Sequence, residues 1–468
     1  MIHVGAWSLV PALLAVALAF LTREAVFSLL VACVVGLLIA GEGFWGLPEL
    51  FQRALGNPAF IWVLLVELCI GVLVAFFLRS ASTEEFARRM GTRLRSRKQV
   101  QLFGWFLGML IFFSDYFSPL LTGPVLRSLT DRVGISREKL AFICDSTSAP
   151  MCVLVPFSAW AIFLSGLLVG IGPIADTQAA LSFFIHSVVL DFYAWIAVAM
   201  VGLIAAGLVP DFGPMRRAEN RASNEGKPLA DGAVPMMSVE LSEMKPAEQI
   251  TRPRLTVNFF VPLAIVVSIA VGSYAATGSA RILEAFMSAV AYLGIVLWLQ
   301  RVPMKDLVAT SMQGIKGVVP ALLLLALAYS INAISQELGA AAYVVEATRG
   351  WLTPTWLPLL TFVLCGLISF STGTSWGTYA IVMPIAMPVA FEFSGGAIDS
   401  LSLATLAALA GGGVFGDHCS PLSDTTILSS FGAASDHMDH VKTQLPYALA
   451  AAALSLALYA ALGLVWWS

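Results

Sequence analysis

The sequence predicts an all-α polytopic membrane protein built from two inverted repeats of about five spans each, every repeat carrying a re-entrant hairpin and a broken helix. Three observations predict it. Of 468 residues, 58% are hydrophobic and only 12% are charged, with a mean hydropathy of +0.85; a soluble domain carries about 25% charged residues. Long apolar runs recur along the chain and are interrupted by short polar stretches rich in glycine or proline. The basic residues also collect on one side once the interrupted stretches are folded back on themselves.

The first repeat covers 1–209. Apolar spans are expected at 6–22, 25–40 and 58–78. The run Ala6–Leu21 lacks a basic leader and a small-residue cleavage pattern, so it is a retained span rather than a signal peptide. A basic loop at 79–99 precedes a hairpin at 100–126, interrupted by Ser114–Pro119. After a second basic loop, 127–139, the stretch 140–172 is too long for one straight span, at about 1.5 Å per residue across a hydrocarbon core of roughly 30 Å. It breaks at Asp145–Pro150, and a last span follows at 185–209.

Residues 210–256 are polar, carry charges of both signs and hold no long apolar run. They read as a linker, expected to be disordered for much of its length and loosely packed. The second repeat, 257–468, repeats the order: spans at 257–275, 282–299 and 318–336, a hairpin at 353–391 interrupted at Ser371–Thr378, a broken helix at 401–430, and a closing span at 446–467. Asp145, Ser148 and Pro150 echo Asp417, Ser420 and Pro421 with one residue extra. The matching order of elements is the stronger sign of an internal repeat.

Charge sets the orientation. With both hairpins re-entrant, each half has an odd number of true spans and the halves are inverted. All 26 Lys and Arg residues except Arg53, Arg281 and Arg349 then face the cytoplasm, together with the linker, and both termini lie outside. Hairpins that crossed the membrane would carry the loop 127–139 and the linker outside, against the positive-inside rule. The expected location is the cell membrane, in contact with the lipid bilayer.

The chemistry concentrates in Gly411–Ser430, GGGVFGDHCSPLSDTTILSS, set in a hydrophobic half. Glycines disfavour helix and proline removes a backbone donor, so a helix entering here is expected to break. In lipid, such a break is tolerated only inside protein or beside a watery cavity. Carboxylates, hydroxyls and freed carbonyls are the oxygen ligands that a small hard cation prefers, and ionisable groups at membrane depth are functional by default. Asp145, Asp417 and Asp424 are therefore the candidate ligands of such a cation. Ser146, Thr147, His418, Ser420 and Thr425 flank them. The hairpin tips add Ser114, Asp115 and Ser118, and then Thr372, Thr374 and Ser375 beside Gly373 and Gly377.

Other polar groups carry duller expectations. Glu67 sits mid-span, either coupled to the site or as a structural carboxyl. Asp191 and His186 are expected at an interface. Asp436, His437, Asp439 and His440 are expected to be solvated in a loop. Trp466 and Trp467 read as an interfacial anchor. The six cysteines fall in apolar runs as packing residues. An enzyme is not expected: His418 and Cys419 lack further ligands at metal spacing, and no serine sits in a nucleophile elbow. No cofactor and no nucleic-acid partner are expected.

GDHCSPLSDTTILSS closely resembles the signature of the NhaC-type sodium/proton antiporters, within the broader ion-transporter superfamily. Ser136–Trp160, Phe370–Ala386 and the tail DHMDHVKTQLPYA agree as well, so the resemblance spans both halves. It implies opposed hairpins, a mobile transport domain moving as an elevator on a dimeric scaffold, and ion sites around Asp115, Asp145, Thr374 and Asp417. The expected function is sodium/proton antiport by alternating access, with Na⁺ and H⁺ as the transported ions. The alternative is sodium-coupled transport of a small organic solute, such as an amino acid or organic acid, since members of the family also carry these.

Overall fold

The computed structural model describes residues 4–466 except 23, 113–114, 157, 237–243, 245, 251–252, 278–280, 341–342, 344–345 and 348–352. Ser114, Arg23, Arg349 and Trp467, which the sequence assigns to a hairpin tip, two loops and an interface, lie outside the described residues.

The chain opens with α1 (Val10–Thr22), α2 (Ala25–Ala40), α3 (Leu47–Leu55), α4 (Pro58–Arg79) and α5 (Ser82–Arg93). The first hairpin is α6 (Arg97–Leu110) and α7 (Phe117–Arg132). The first broken helix is α8 (Arg137–Ser146) and α9 (Ala149–Leu154), continued by α10 (Ala159–Leu168). Then come α11 (Thr177–Ser187), α12 (Phe192–Ala205) and α13 (Gly213–Glu225). The second half holds α14 (Val261–Thr277), α15 (Ile282–Leu299) and α16 (Met304–Glu337). Its hairpin is α17 (Leu357–Thr372) with α18 (Ser375–Phe393), its broken helix α19 (Ser400–Cys419) with α20 (Asp424–Ala433), and it closes on α21 (His437–Trp466). Among the described residues no strand forms beyond an isolated bridge, Pro235 to Asp436. Six of the described helices are long and apolar enough to cross a membrane, and up to nine spans result if each bent helix pair counts as one.

Each break is built by local chemistry. Ser136, Ser158, Thr374 and Ser423 begin α8, α10, α18 and α20, each side chain accepting a hydrogen bond from an N–H of the first turn, which satisfies donors that a helix start leaves open. Gly373 ends α17 at φ +68°, and a Cβ there would meet the carbonyl oxygen of Leu422 at 2.5 Å. Only glycine fits that backbone and that approach.

The glycine-rich run corrects one expectation. Gly411, Gly412, Gly413 and Gly416 lie within α19, not in its break; the helix runs on to Cys419 and breaks at Ser420–Ser423, around Pro421. The glycines instead let α17 approach. A Cβ on Gly412 would collide with the backbone of Phe362, and one on Gly416 with Gly366 and Phe370. Small residues serve this close packing in membrane helices.

Two apolar cores organise the molecule. One is formed by faces of α2, α4, α7, α14, α15 and α16, the other by α9–α12, α17–α19 and α21. The broken helices cross from one to the other in opposite order. α8 packs in the first core and α9 in the second, whereas α19 packs in the second and α20 in the first. Both breaks therefore fall on the seam between the cores, where polar groups can be held without disturbing either.

The linker is more ordered at its start than its composition suggests. α13 docks on the membrane domain through Arg97 to Glu219 (2.5 Å) and Arg221 to Glu138 (2.8 Å), while Glu219 also accepts the N–H of Ser136 at 2.8 Å. A polar helix with little apolar surface is here fixed by paired buried charges, which composition does not reveal. The start of the first hairpin and the start of α8 thus meet one linker helix. Further along, Ala247 donates its N–H to the carbonyl of Arg79, and Arg79 faces Asp306 at 3.7 Å. At the far end of α16, about 50 Å away for 34 residues, Arg53 pairs with Glu337 at 3.3 Å and Val4 donates to the carbonyl of Leu338.

Candidate functional site

The two breaks meet at the seam, where side chains gather from six segments, the tip of the first hairpin among them. Asp145, at the end of α8, is buried. Its Oδ2 accepts hydrogen bonds from Gln444 Nε2 (2.5 Å) and Thr426 Oγ1 (3.3 Å) and lies 3.3 Å from His440 Nε2. Gln444 also donates to the carbonyl of His418 at 2.7 Å, so one amide of α21 ties the first break to the second. Asp417 Oδ2 accepts from Ser375 Oγ at 3.2 Å and from Thr425 Oγ1 at 3.4 Å, joining the break to the tip of the second hairpin. Thr426 further donates to the Asp417 carbonyl. Asp424 opens α20; its Oδ1 accepts the N–H of Thr425 at 2.8 Å and its Oδ2 the hydroxyl of Tyr116 at 2.7 Å.

At the two breaks and the first hairpin's tip, three carboxylate oxygens are left over. Asp115 Oδ2, Asp145 Oδ1 and Asp417 Oδ1 are buried with no hydrogen-bond partner among the described residues. Buried polar atoms are nearly always satisfied, so each orphan calls for an explanation. Freed backbone carbonyls and hydroxyls at the same breaks complete an oxygen-rich environment of the kind a small hard cation takes. Among the described residues, no group of three or more His, Cys, Asp or Glu side chains is arranged to hold a metal ion by itself. Asp145, Asp417 and Asp424 are instead chained through Thr425 and Thr426.

The other expected residues fall in three groups. Ser146 bonds His418 Nε2 at 3.0 Å, and Tyr193 bonds His418 Nδ1 at 3.0 Å, so both nitrogens of His418 brace the crossing of the breaks. Ser420 donates to the carbonyl of Phe370 at 2.7 Å and tethers the second break to α17. Thr147 and Thr372 turn back onto carbonyls of their own helices, Ile143 and Ile368, and Ser118 reaches the carbonyl of Gly108 across the first hairpin. Asp115 is brought to the first hairpin's tip, buried, apart from these bonds. Glu67 is buried in α4, its two oxygens without partners among the described residues.

His437 and His440 correct another expectation. They are buried, not solvated: His437 Nε2 lies 2.9 Å from the carbonyl of Pro421, and His440 faces Asp145. Residues 437–445 are the first turns of α21, not a loop. His437, His440 and Gln444 recur at three- and four-residue spacing, one face of a helix; that periodicity is the signal that would have found them. Asp191 is likewise buried, capping α12 through the N–H of Ala194.

A cavity of about 330 Å³ opens beside this centre, lined in part by Trp62, Tyr116, Tyr329, Thr374, Trp376 and Asp424.

The model of the Na⁺/H⁺ antiporter family matches residues 151–464. A Haemophilus influenzae protein that carries no assigned activity is 32% identical over 94% of this chain and 88% of its own length. A Na⁺/H⁺ antiporter of the same organism, itself uncharacterised, is 35% identical over 24% of this chain and 23% of its own. The arginine/ornithine antiporter ArcD of Halobacterium salinarum is 30% identical over 31% of this chain and 29% of its own. With a family match over most of its length and two broken helices crossing at a buried carboxylate centre, the chain is a secondary active transporter that belongs to the Na⁺/H⁺ antiporter family.

Proposed function

We propose that the protein exchanges Na⁺ for H⁺ by alternating access, with Asp145 and Asp417 at the ion-binding centre and Asp424 beside it. The orphaned oxygens of Asp145 and Asp417, buried where two helices break, carry this proposal. A carboxylate with one oxygen held by hydroxyl and amide donors and the other free can take either a cation or a proton on the free oxygen. Occupation by one excludes the other, and this is the elementary requirement of exchange. His418, with both ring nitrogens engaged, positions the crossing of the breaks.

The opposite order in which the two broken helices traverse the two cores supports an inverted repeat. The gathering of Arg79, Asp306, α13 and the start of α21 at one end, with residues 4, 53 and 337 at the other, supports a cytoplasmic linker and an outside amino terminus.

The test is a flux measurement. In liposomes holding the purified protein, an imposed Na⁺ gradient with no organic solute present should move protons, and Asp417→Asn should abolish the movement. Protons that stay still until a solute is added would overturn exchange and favour sodium-coupled solute transport. That second mode has its own support in the 330 Å³ cavity, which is far larger than a sodium ion needs.

A further inference from the structure

We infer that the cavity beside Asp424 binds a small organic cation, a primary ammonium or a guanidinium. The inference rests on the second mode above only in treating the cavity as a solute site, and it adds the chemical class of the solute. Three features of the lining carry it.

The first is size. At 330 Å³ the cavity has room for about eleven waters at roughly 30 Å³ each, and it falls in the size range of small-molecule sites. A cation of four to eight heavy atoms, on the order of half that volume or less, fits with part of its solvation retained.

The second is charge. Asp424 brings the one carboxyl group among the described lining residues, and no Lys, Arg or His stands among them. An organic anion entering here would face a carboxylate with no counter-charge. A cation would find its partner in place, since Tyr116 and the Thr425 N–H already fix that carboxylate's orientation.

The third is the wall. Trp62, Tyr116, Tyr329 and Trp376 reach the cavity from four separate segments, and Trp62 meets Tyr116 edge to face with centroids 5.9 Å apart. Aromatic faces attract ammonium and guanidinium groups through the ring quadrupole. A bare hydrated-ion vestibule has no use for four large rings. Thr374 and Asn332 supply neutral polar contacts at the rim.

The experiment is binding to purified protein at low salt and pH 8, read by tryptophan fluorescence. The probes are n-butylammonium and guanidinium, with n-butanol and butyrate as neutral and anionic controls of similar size. Saturable binding of the two cations, with neither control binding, is expected. Tyr329→Leu should weaken n-butylammonium about tenfold, while Tyr329→Phe, which keeps the ring, should stay within twofold. Butyrate binding as tightly as n-butylammonium, no saturable cation signal, or a Tyr329→Leu affinity equal to the parent would each overturn the inference. Proton movement driven by Na⁺ in liposomes should persist in Tyr329→Leu. Binding and exchange can therefore fail separately, and each failure points to its own claim.

Discussion

A buried carboxylate with one oxygen held by donors and the other free can take a charge on the free oxygen. Asp145 and Asp417 are of this kind, and Asp424, with both oxygens accepting from Thr425 and Tyr116, borders the cavity. Asp145→Asn and Asp417→Asn keep side-chain size and remove the charge, so transport should fall at least about tenfold, the value of one charge-assisted contact of 1.5–3 kcal/mol. Expression and melting temperature should change little. A variant that still transports at the parent's rate would remove that aspartate from the ion path. The role of Gln444 is open to a sharper test, because its amide joins Asp145 to the His418 carbonyl. Gln444→Leu deletes both bonds and should slow exchange more than tenfold in folded protein, whereas Gln444→Asn, shorter by one methylene, should fall between. Proton competition gives the sign of the pH dependence. If Na⁺ and H⁺ occupy the same oxygen and that oxygen takes its proton between pH 8 and 6, the apparent Na⁺ affinity of purified protein must fall across this window, with a steepness that vanishes in the Asn variant of that aspartate. An affinity that is flat across this window would separate the proton from the sodium site.

At the scale of elements, the close approach of α17 and α19 depends on glycines that leave no room for a methyl group. Gly416→Ala would push a Cβ into the backbone of Gly366 and Phe370, whereas Gly272→Ala in α14 meets nothing within 4 Å. Overpacking of this kind costs typically 1–3 kcal/mol. Gly416→Ala should therefore lower the melting temperature in detergent and reduce transport, while Gly272→Ala should leave both unchanged. Equal effects of the two would dissolve the packing role assigned to the run. The same run marks the limit of what the sequence discloses. Pro421 and the polar residues around it announce a break, because proline's missing donor is a local property; Pro150 marks the break after Asp145 in the same way, whereas glycines among small hydroxyl residues mark Ser371–Thr378. Whether a glycine breaks a helix or admits a neighbour depends on what stands across from it, and no local pattern records that. His440 was expected in solvent, and Gln444 was not singled out, for a related cause. A polar stretch beside a membrane span looks like a solvated loop until the fold carries it back over the carboxylate it serves. The docking of α13 was hidden too, since Glu219 and Arg221 find their partners at Arg97 and Glu138, far along the chain.

At the scale of the whole molecule, the question is which face is which. α16 and α21 run from one end of the protein to the other. At one end stand α13, Arg79 and Asp306, and the bond from the Val234 N–H to Asp436; at the other stand the Glu42–Arg53 and Arg53–Glu337 pairs. Apart from Arg53, Arg281 and Arg349, every Lys and Arg is assigned by sequence to the first of these ends, which the positive-inside rule would make cytoplasmic. Two single cysteines can report this directly. Asn224 is exposed at the end of α13, and Trp45 is 85% exposed in the turn between α2 and α3. The native cysteines give little background, since five of the six are buried and Cys69 is only partly exposed. A membrane-impermeant maleimide should label Asn224→Cys in inside-out vesicles and not in right-side-out ones, and Trp45→Cys in the reverse pattern. Labelling of both positions from one side would break the link between charge and orientation, and with it the inverted arrangement of the two halves. If both labels fall as expected, the two broken helices enter the seam from opposite sides of the membrane. A carboxylate centre built between them can then be reached from either side in turn without moving the ion far through lipid.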